Sequence, residues 1–199
     1  MAMASDLYQR LNDALSKPGS ASSDFDLNTD VILPEGRVLR PAAVLIGVRC
    51  DTQSVILTKR SSKLKHHPGQ IAFPGGKQDK TDTNLANTAL REAQEEIGLP
   101  SAQSRVLGQL DSHETVTGFE VSPILSVVEG QFDITPEKGE VEDVFDVPLD
   151  FLIDPANFRI ESRRWQGRRR YFYTIPFGPY YIWGATARIL RGLADRMQP

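Results

Sequence analysis

One cysteine in 199 residues, Cys50, leaves no partner for an internal disulfide, which suits a reducing cytoplasm. At the end of an apolar run, Cys50 reads as a small buried hydrophobe in a strand rather than as a nucleophile. The three histidines and the lone cysteine form no ligand cluster of the kind zinc requires. No stretch approaches the ~18 consecutive apolar residues of a membrane-spanning helix. The amino-terminal MAMASDLYQRLNDALSK lacks the charged-then-apolar pattern of a secretory leader. A formal net charge of −3 gives no global signal for nucleic acid or for a membrane surface. Internal repeats and low-complexity tracts are also missing. What remains is a chain with 40% hydrophobic residues, long enough for one substantial core and expected to form one domain over residues 1–199.

The first segment, through Leu7, Leu11, Ala14 and Leu15, has the spacing of an amphipathic helix. Pro18 to Ser23 (PGSASS) reads as a loop or linker, and the chain to Pro41 has little periodicity. Residues 1–40 are thus expected to precede the sheet as a helix and linker, either packed over the domain or swapped to a partner in a homodimer. Ala42 to Val48 (AAVLIGV) and Ser54 to Thr58 (SVILT) read as paired buried strands across Asp51 and Thr52. Arg105 to Ser112 and Phe119 to Val128 read as strands around the Thr117-Gly118 turn. Val141 to Val147 alternates as a strand ended by Pro148. Phe158 to Thr174 reads as a hairpin turning at Gln166-Gly167, with Arg163, Arg164, Arg168, Arg169 and Arg170 around it. Alternation sends these arginines to both faces, so they form a basic rim that steers anions or a plain solvated hairpin, not one ligand cage. A final helix is expected from about Tyr181 to Met197, burying Trp183, Ala187, Leu190 and Ala194.

Phe73 to Leu99 (FPGGKQDKTDTNLANTALREAQEEIGL) carries the chemistry. On a helical wheel Leu85, Ala86, Ala89, Leu90, Ala93 and Ile97 make one apolar stripe, and Asn84, Asn87, Arg91 and Gln94 lie opposite. Glu92 and Glu96 fall within about 20° of Leu85 at the margin of that stripe, with Glu95 beside them. A run of glutamates is ordinarily a solvated face, but here that reading predicts the wrong side of the helix. Like charges one turn apart repel by roughly 0.2–0.5 kcal/mol per pair, and partial burial adds a desolvation cost. Arg91 reaches Glu95 across one turn while its stem directs it largely away from Glu92 and Glu96. A hard divalent cation, Mg²⁺ or Mn²⁺, is the economical counter-charge.

Just upstream, Lys59 to Gln70 (KRSSKLKHHPGQ) is a basic loop that feeds the glycine turn. Alone it is an ordinary solvated loop; beside a carboxylate site it becomes a candidate phosphate clamp. His66 and His67 sit in cationic company, which favours a phosphate contact or a structural hydrogen bond over metal ligation.

Gly76, Asp82, Arg91, Glu92, Glu95, Glu96 and Gly98 resemble the signature box of the Nudix hydrolases, and the ending REAQEEIGL matches it closely. The upstream acid is Asp82 instead of Glu, and its spacing to Arg91 is one residue longer than usual. Asp82 therefore reads either as a box member or as the N-cap of the helix. LTKRSSKLKHHPGQIAFPGG resembles the motif preceding the box in the coenzyme A pyrophosphatase branch, through Thr58, Arg60, Ser61, Gly69, Phe73, Pro74, Gly75 and Gly76. Lys65 stands there in place of the usual Arg, keeping the charge without the bidentate fork. The matched region runs from Leu57 to Leu99, with weaker similarity towards the end of the chain.

The resemblance implies an α/β fold, an α/β/α sandwich with a central mixed β-sheet. It implies hydrolysis of the phosphoanhydride of coenzyme A or its thioesters. Glu92 and Glu96 would hold the principal Mg²⁺ or Mn²⁺, Glu95 a second cation, and the Gly76 carbonyl a further ligand position. Arg91 would orient Glu95. Arg60, Lys65, His67 and Gly75 would contact the small-molecule substrate. A carboxylate from the loop Thr135 to Glu140 is expected near the metals, with Glu140 the candidate and Glu142 the runner-up; Glu96 or Glu140 would be the general base. NADH, ADP-ribose or dinucleoside polyphosphates are the competing substrates, and a binding module without catalysis is the reading from another class. The retained carboxylates speak against that module.

Overall fold

Alternation along the central strands sets the architecture. The structure, a computed structural model, describes residues 2–165 and 167–198. In chain order it runs α1 (Ala2–Ser16), β1 (Ser22–Ser23), β2 (Arg40–Arg49), β3 (Ser54–Arg60), β4 (Ile71–Ala72), β5 (Gly75–Lys77), α2 (Leu85–Ile97), β6 (Ser104–Gln109), β7 (His113–Glu114), β8 (Phe119–Val128), β9 (Val141–Pro148), α3 (Leu149–Ile153), β10 (Arg159–Trp165), β11 (Arg168–Phe177), β12 (Tyr180–Trp183) and α4 (Ala185–Met197).

Because successive strand side chains point to opposite faces, β2 sends Ala42, Ile46 and Val48 to one core and Ala43 and Leu45 to the other. β3 divides in the same way, Val55 and Leu57 against Ile56, and so does β8, with Leu125 and Val127 against Ile124 and Val128. Strands buried on both faces read as continuous apolar runs. One core is closed by α1, α3 and α4, through Leu7, Leu11, Leu152, Leu190 and Leu193; the other is closed by α2, through Ala89, Ala93 and Ile97. Each large side chain so buried contributes about 1.5–3 kcal/mol. The result is an α/β/α sandwich around a mixed sheet: β2 runs parallel to β8 and antiparallel to β3 and β5, and β9 pairs β3 antiparallel.

Two expectations change, those for the linker and for the last helix, and two features are added to the expected elements. Within residues 18–23, Ser22 and Ser23 form a short strand paired in parallel with His113 and Glu114, so this linker joins the sheet. β2 and β3 pair antiparallel, but β2 makes its long ladder with β8 and β3 makes its own with β9. The five-residue helix α3 follows Pro148. The last helix begins at Ala185, because Tyr180 to Trp183, aromatic and β-branched, pair with β11 as a strand. Gly184, with φ 65°, makes the corner between them. Trp183 consequently belongs to the small three-stranded sheet β10-β11-β12 and not to a helical stripe. The hairpin β10–β11 is as expected; Gln166, at its turn, lies outside the described residues.

Candidate active site at the glycine turn

The turn at Phe73–Gly76 is held by its backbone. The Pro74 carbonyl accepts from Leu45 N–H at 2.8 Å, and Gly75 and Gly76 lie opposite Val44 and Ala43. A Cβ on Gly75 would fall 2.4 Å from the Ala43 carbonyl oxygen, and one on Gly76 only 2.5 Å from the Glu92 carboxylate. Glycine at Gly75 lets the turn lie against β2, and glycine at Gly76 lets the acid helix press against the turn.

α2 is fixed at both ends. Asn84 is its N-cap, the side chain accepting from Asn87 N–H at 2.9 Å. At the other end Gly98, with φ 76°, donates to Gln94 O while Leu99 N–H reaches Ala93 O. The loop after β8 satisfies further carbonyls: Thr135 N–H bonds Ile97 O at 3.0 Å and Glu137 N–H bonds Glu96 O at 2.9 Å. The same loop ends at Glu140, whose charge bears on Glu92 and Glu96.

Glu96 is 4% exposed and accepts one hydrogen bond, from Gly75 N–H at 3.2 Å. Its pKa is pushed up to about 8, chiefly by burial and further by the charges of Glu92 and Glu140, against the pull of the Gly75 amide and Arg60. Burial also raises Glu92, and Glu95 and Glu140 add to that rise while Arg91 opposes it. Glu95 is largely exposed.

Arg91 is the organiser. Its Nε and one terminal nitrogen donate to both oxygens of Asp82 at 3.0 and 2.9 Å, and the other terminal nitrogen donates to Glu92 at 3.0 Å and Glu95 at 2.9 Å. The expectation that Arg91 points away from Glu92 is therefore corrected: docking on Asp82 bends the guanidinium back along the helix. Asp82 is not the N-cap, which is Asn84. It also accepts from Asp79 N–H and the Thr88 hydroxyl, and with Arg91 first among the causes its carboxyl is held well below the usual range.

A cavity of about 520 Å³ opens beside this turn, with Arg60, His67 and Phe73 on one side and Phe119, Phe172 and Trp183 among its aromatic lining. Burial, then Arg60 and His66, lowers the His67 pKa, which keeps the ring neutral near pH 7. Arg60 thus stands on the cavity wall while its charge reaches Glu96. Lys65 is exposed and is not among the lining residues. Glu142 is occupied elsewhere, with Lys59 at 2.6 Å and Ser62 N–H at 3.1 Å, whereas the charge of Glu140 raises both Glu92 and Glu96. Two wall residues had no sequence signal: Asn28, 5% exposed, and Asp24, which holds His113 and Val116 N–H.

Among the described residues no three His, Cys, Asp or Glu side chains converge into a metal cage. The oxygen-only pair of Glu92 and Glu96, desolvated at a glycine backbone, nevertheless suits a hard divalent cation. Mg²⁺ is commonly bound through one or two carboxylates, with water and substrate phosphate completing its shell.

Residues 38–166 match the NUDIX domain family. The chain is 40% identical over 182 residues to the uncharacterized Nudix hydrolase NudL of Pectobacterium atrosepticum, covering 87% of this chain and 93% of that protein. A NudL from Photorhabdus laumondii is 38% identical over 162 residues, covering 80% and 86%. Among solved structures, the NUDIX domain of Shewanella oneidensis NrtR complexed with ADP-ribose is similar at 15% identity and a TM-score of 0.49, over 85% of this chain and 96% of that one. The chain belongs to the Nudix hydrolase family, and its reaction class is hydrolysis of a phosphoanhydride in a nucleoside diphosphate derivative.

Proposed function

We propose that this protein cleaves the phosphoanhydride of coenzyme A or its thioesters, giving a phosphopantetheine and adenosine 3′,5′-bisphosphate. The oxygen of water bonds to one phosphorus as the bond from that phosphorus to the bridging oxygen breaks, and the second phosphate monoester departs carrying the bridging oxygen. The observation that carries the reading is Arg60, which lies on the wall of the cavity and within electrostatic reach of Glu96. Recognition and chemistry therefore adjoin at one residue, inside the basic motif whose resemblance points to coenzyme A.

Glu92 and Glu96 would hold Mg²⁺ or Mn²⁺, with Glu95 and the Gly76 backbone as further oxygen ligands. A divalent cation there supplies neutralisation of the pyrophosphate and a lowered pKa for bound water. Arg91, clamped by Asp82, orients Glu92 and Glu95. Arg60 and His67 face the substrate phosphates, Gly75 lends its close backbone, and Lys65 acts from solvent as a steering charge. Glu96 or Glu140 takes the proton from the attacking water. The unpaired cysteine and these small-molecule substrates suit a cytoplasmic enzyme.

The test is an assay of purified protein with Mg²⁺ or Mn²⁺ against coenzyme A, acetyl-coenzyme A, NADH, ADP-ribose and diadenosine polyphosphates, with products identified by chromatography. Highest kcat/KM on coenzyme A or a thioester, releasing adenosine 3′,5′-bisphosphate, is expected. Preference for another substrate overturns the assignment, and no hydrolysis of any points to the binding module.

A further inference from the structure

The register of the β10–β11 hairpin places Arg163 directly opposite Arg170, and Arg164 opposite Arg169. Like charges facing each other across a ladder destabilise it, so a relieving acid is expected nearby. None is found. Among the described residues, none of the five arginines between Arg163 and Arg170 has a carboxylate within salt-bridge distance. Arg163 and Arg170 instead lie against aromatic rings, Arg163 at 5.7 Å from the Trp183 centroid and Arg170 at 5.1 Å from that of Trp165. Such stacking orients a guanidinium while leaving its N–H edge available.

Both of these arginines line the 520 Å³ cavity, the same cavity that Arg60 and His67 line. The hairpin is also tied in place. The Asn28 side-chain amide takes the part of a neighbouring strand, accepting from Tyr171 N–H at 2.8 Å and donating to Tyr171 O at 2.9 Å, immediately beside Arg170. The cavity thus carries two cationic stations, Arg60 next to the acid turn, with the uncharged His67 ring beside it, and Arg163 with Arg170 on the hairpin. Aromatic and apolar surface, including Phe119 and Phe172, also lines it. Its volume falls in the ordinary range for small-ligand sites, roughly 300–1,000 Å³.

We infer that Arg163 and Arg170 form a subsite for a phosphate monoester that the substrate carries away from its pyrophosphate, such as the 3′-phosphate of coenzyme A. The assignment rests on the coenzyme A reading for its substrate but on the hairpin for its site. Two guanidinium forks match a dianionic phosphate in charge and in donor geometry. The subsite separates substrates bearing the third phosphate from NADH and ADP-ribose, which lack it.

Two measurements test it. The first is kcat/KM for coenzyme A and for 3′-dephospho-coenzyme A in wild type, in R163Q/R170Q and in R168Q/R169Q, which removes the same charge from hairpin positions outside the cavity. The wild type should favour coenzyme A by about 10- to 100-fold, the worth of one or two charge-assisted hydrogen bonds. R163Q/R170Q should bring that ratio to within about 3-fold of unity, and R168Q/R169Q should keep most of it. The second is calorimetric binding of adenosine 3′,5′-bisphosphate against 5′-AMP, which needs no turnover: at least about 10-fold tighter binding of the bisphosphate is expected, lost in R163Q/R170Q. Equal binding of the two nucleotides by wild type overturns the subsite, as does equal loss in both double variants, which means a diffuse field. Failure to hydrolyse coenzyme A with the bisphosphate preference intact overturns the coenzyme A reading and leaves the subsite standing.

Discussion

At the glycine turn every glutamate of the acid face has a donor: Glu92 and Glu95 take theirs from Arg91, and Glu96 takes the Gly75 amide. On the β10–β11 hairpin, Arg163 faces Arg170, and among the described residues neither has a carboxylate within salt-bridge distance. The first region is internally braced, with Arg91 itself anchored on Asp82, and geometry of that kind serves chemistry that tolerates little displacement. In the second, Arg163 and Arg170 rest on aromatic rings and, among the described residues, their side chains donate no hydrogen bond, an arrangement suited to a ligand that arrives and leaves. On the proposed reading, turnover belongs to the first region and selection to the second.

The sharpest way to break that contrast is Glu96→Gln. It removes the most buried carboxylate of the acid face, and turnover should fall at least ~100-fold while the fold persists. Circular dichroism together with steady-state kinetics checks this; near-normal turnover moves the reaction away from α2. Next comes Asp82→Ala, which leaves the Arg91 guanidinium without its bidentate acceptor. Because Arg91 is 23% exposed, the cost is set below that of a fully buried pair, at about 1–3 kcal/mol. A urea unfolding midpoint identical to wild type would mean that Asp82 braces nothing.

A smaller effect follows from protonation. The folded pKa of Glu96, about 8, stands above its usual 4.5, so the neutral form is favoured by folding. The stability this contributes is complete below pH 4.5 and is lost as pH rises through 8, at no more than about 1.4 kcal/mol per unit. Asp82, held low, contributes above its usual 3.8 and so stays constant over pH 5–8. With chelator present, the Tm of wild type should therefore fall from pH 5 to pH 8 more steeply than that of Glu96→Gln. Added Mg²⁺ or Mn²⁺ should recover the loss at pH 8. Parallel pH profiles for the two proteins would contradict the burial of an uncompensated carboxylate.

The mildest change is Asn28→Ala. It unties Tyr171 from the N-terminal segment, and KM for coenzyme A should rise about 3- to 10-fold with turnover nearly retained, in keeping with one lost hydrogen bond. A fall in turnover with KM constant would show that the hairpin bears on the chemistry instead.

The same contrast explains what could be read from the sequence. The acid face is local: Arg91, Glu92, Glu95 and Glu96 lie within two turns of one helix, where period alone brings them together. The apolar runs of β2, β3 and β8 were equally plain, because strands buried on both faces need no alternation. The cavity was not legible. Its wall is assembled from segments around Asp24, Arg60, Phe119, Arg163 and Trp183, joined only by tertiary contacts. Asn28 looks like any linker asparagine until Tyr171 is placed beside it. Trp183 has acceptable helical spacing, and its pairing with Thr174 overrides that local signal. Arg91 misled for a related reason: the wheel directs its stem, but Asp82, nine residues upstream, directs its fork.

The most direct test of the division is to measure kcat and KM for coenzyme A side by side in Glu96→Gln and R163Q/R170Q. The account predicts that Glu96→Gln loses at least ~100-fold in kcat with KM changed by less than about 3-fold, and that R163Q/R170Q raises KM by about 10-fold or more with kcat within about 3-fold of wild type. A fall in kcat of similar size in both variants would contradict it, because the hairpin would then belong to the chemistry and not to recognition.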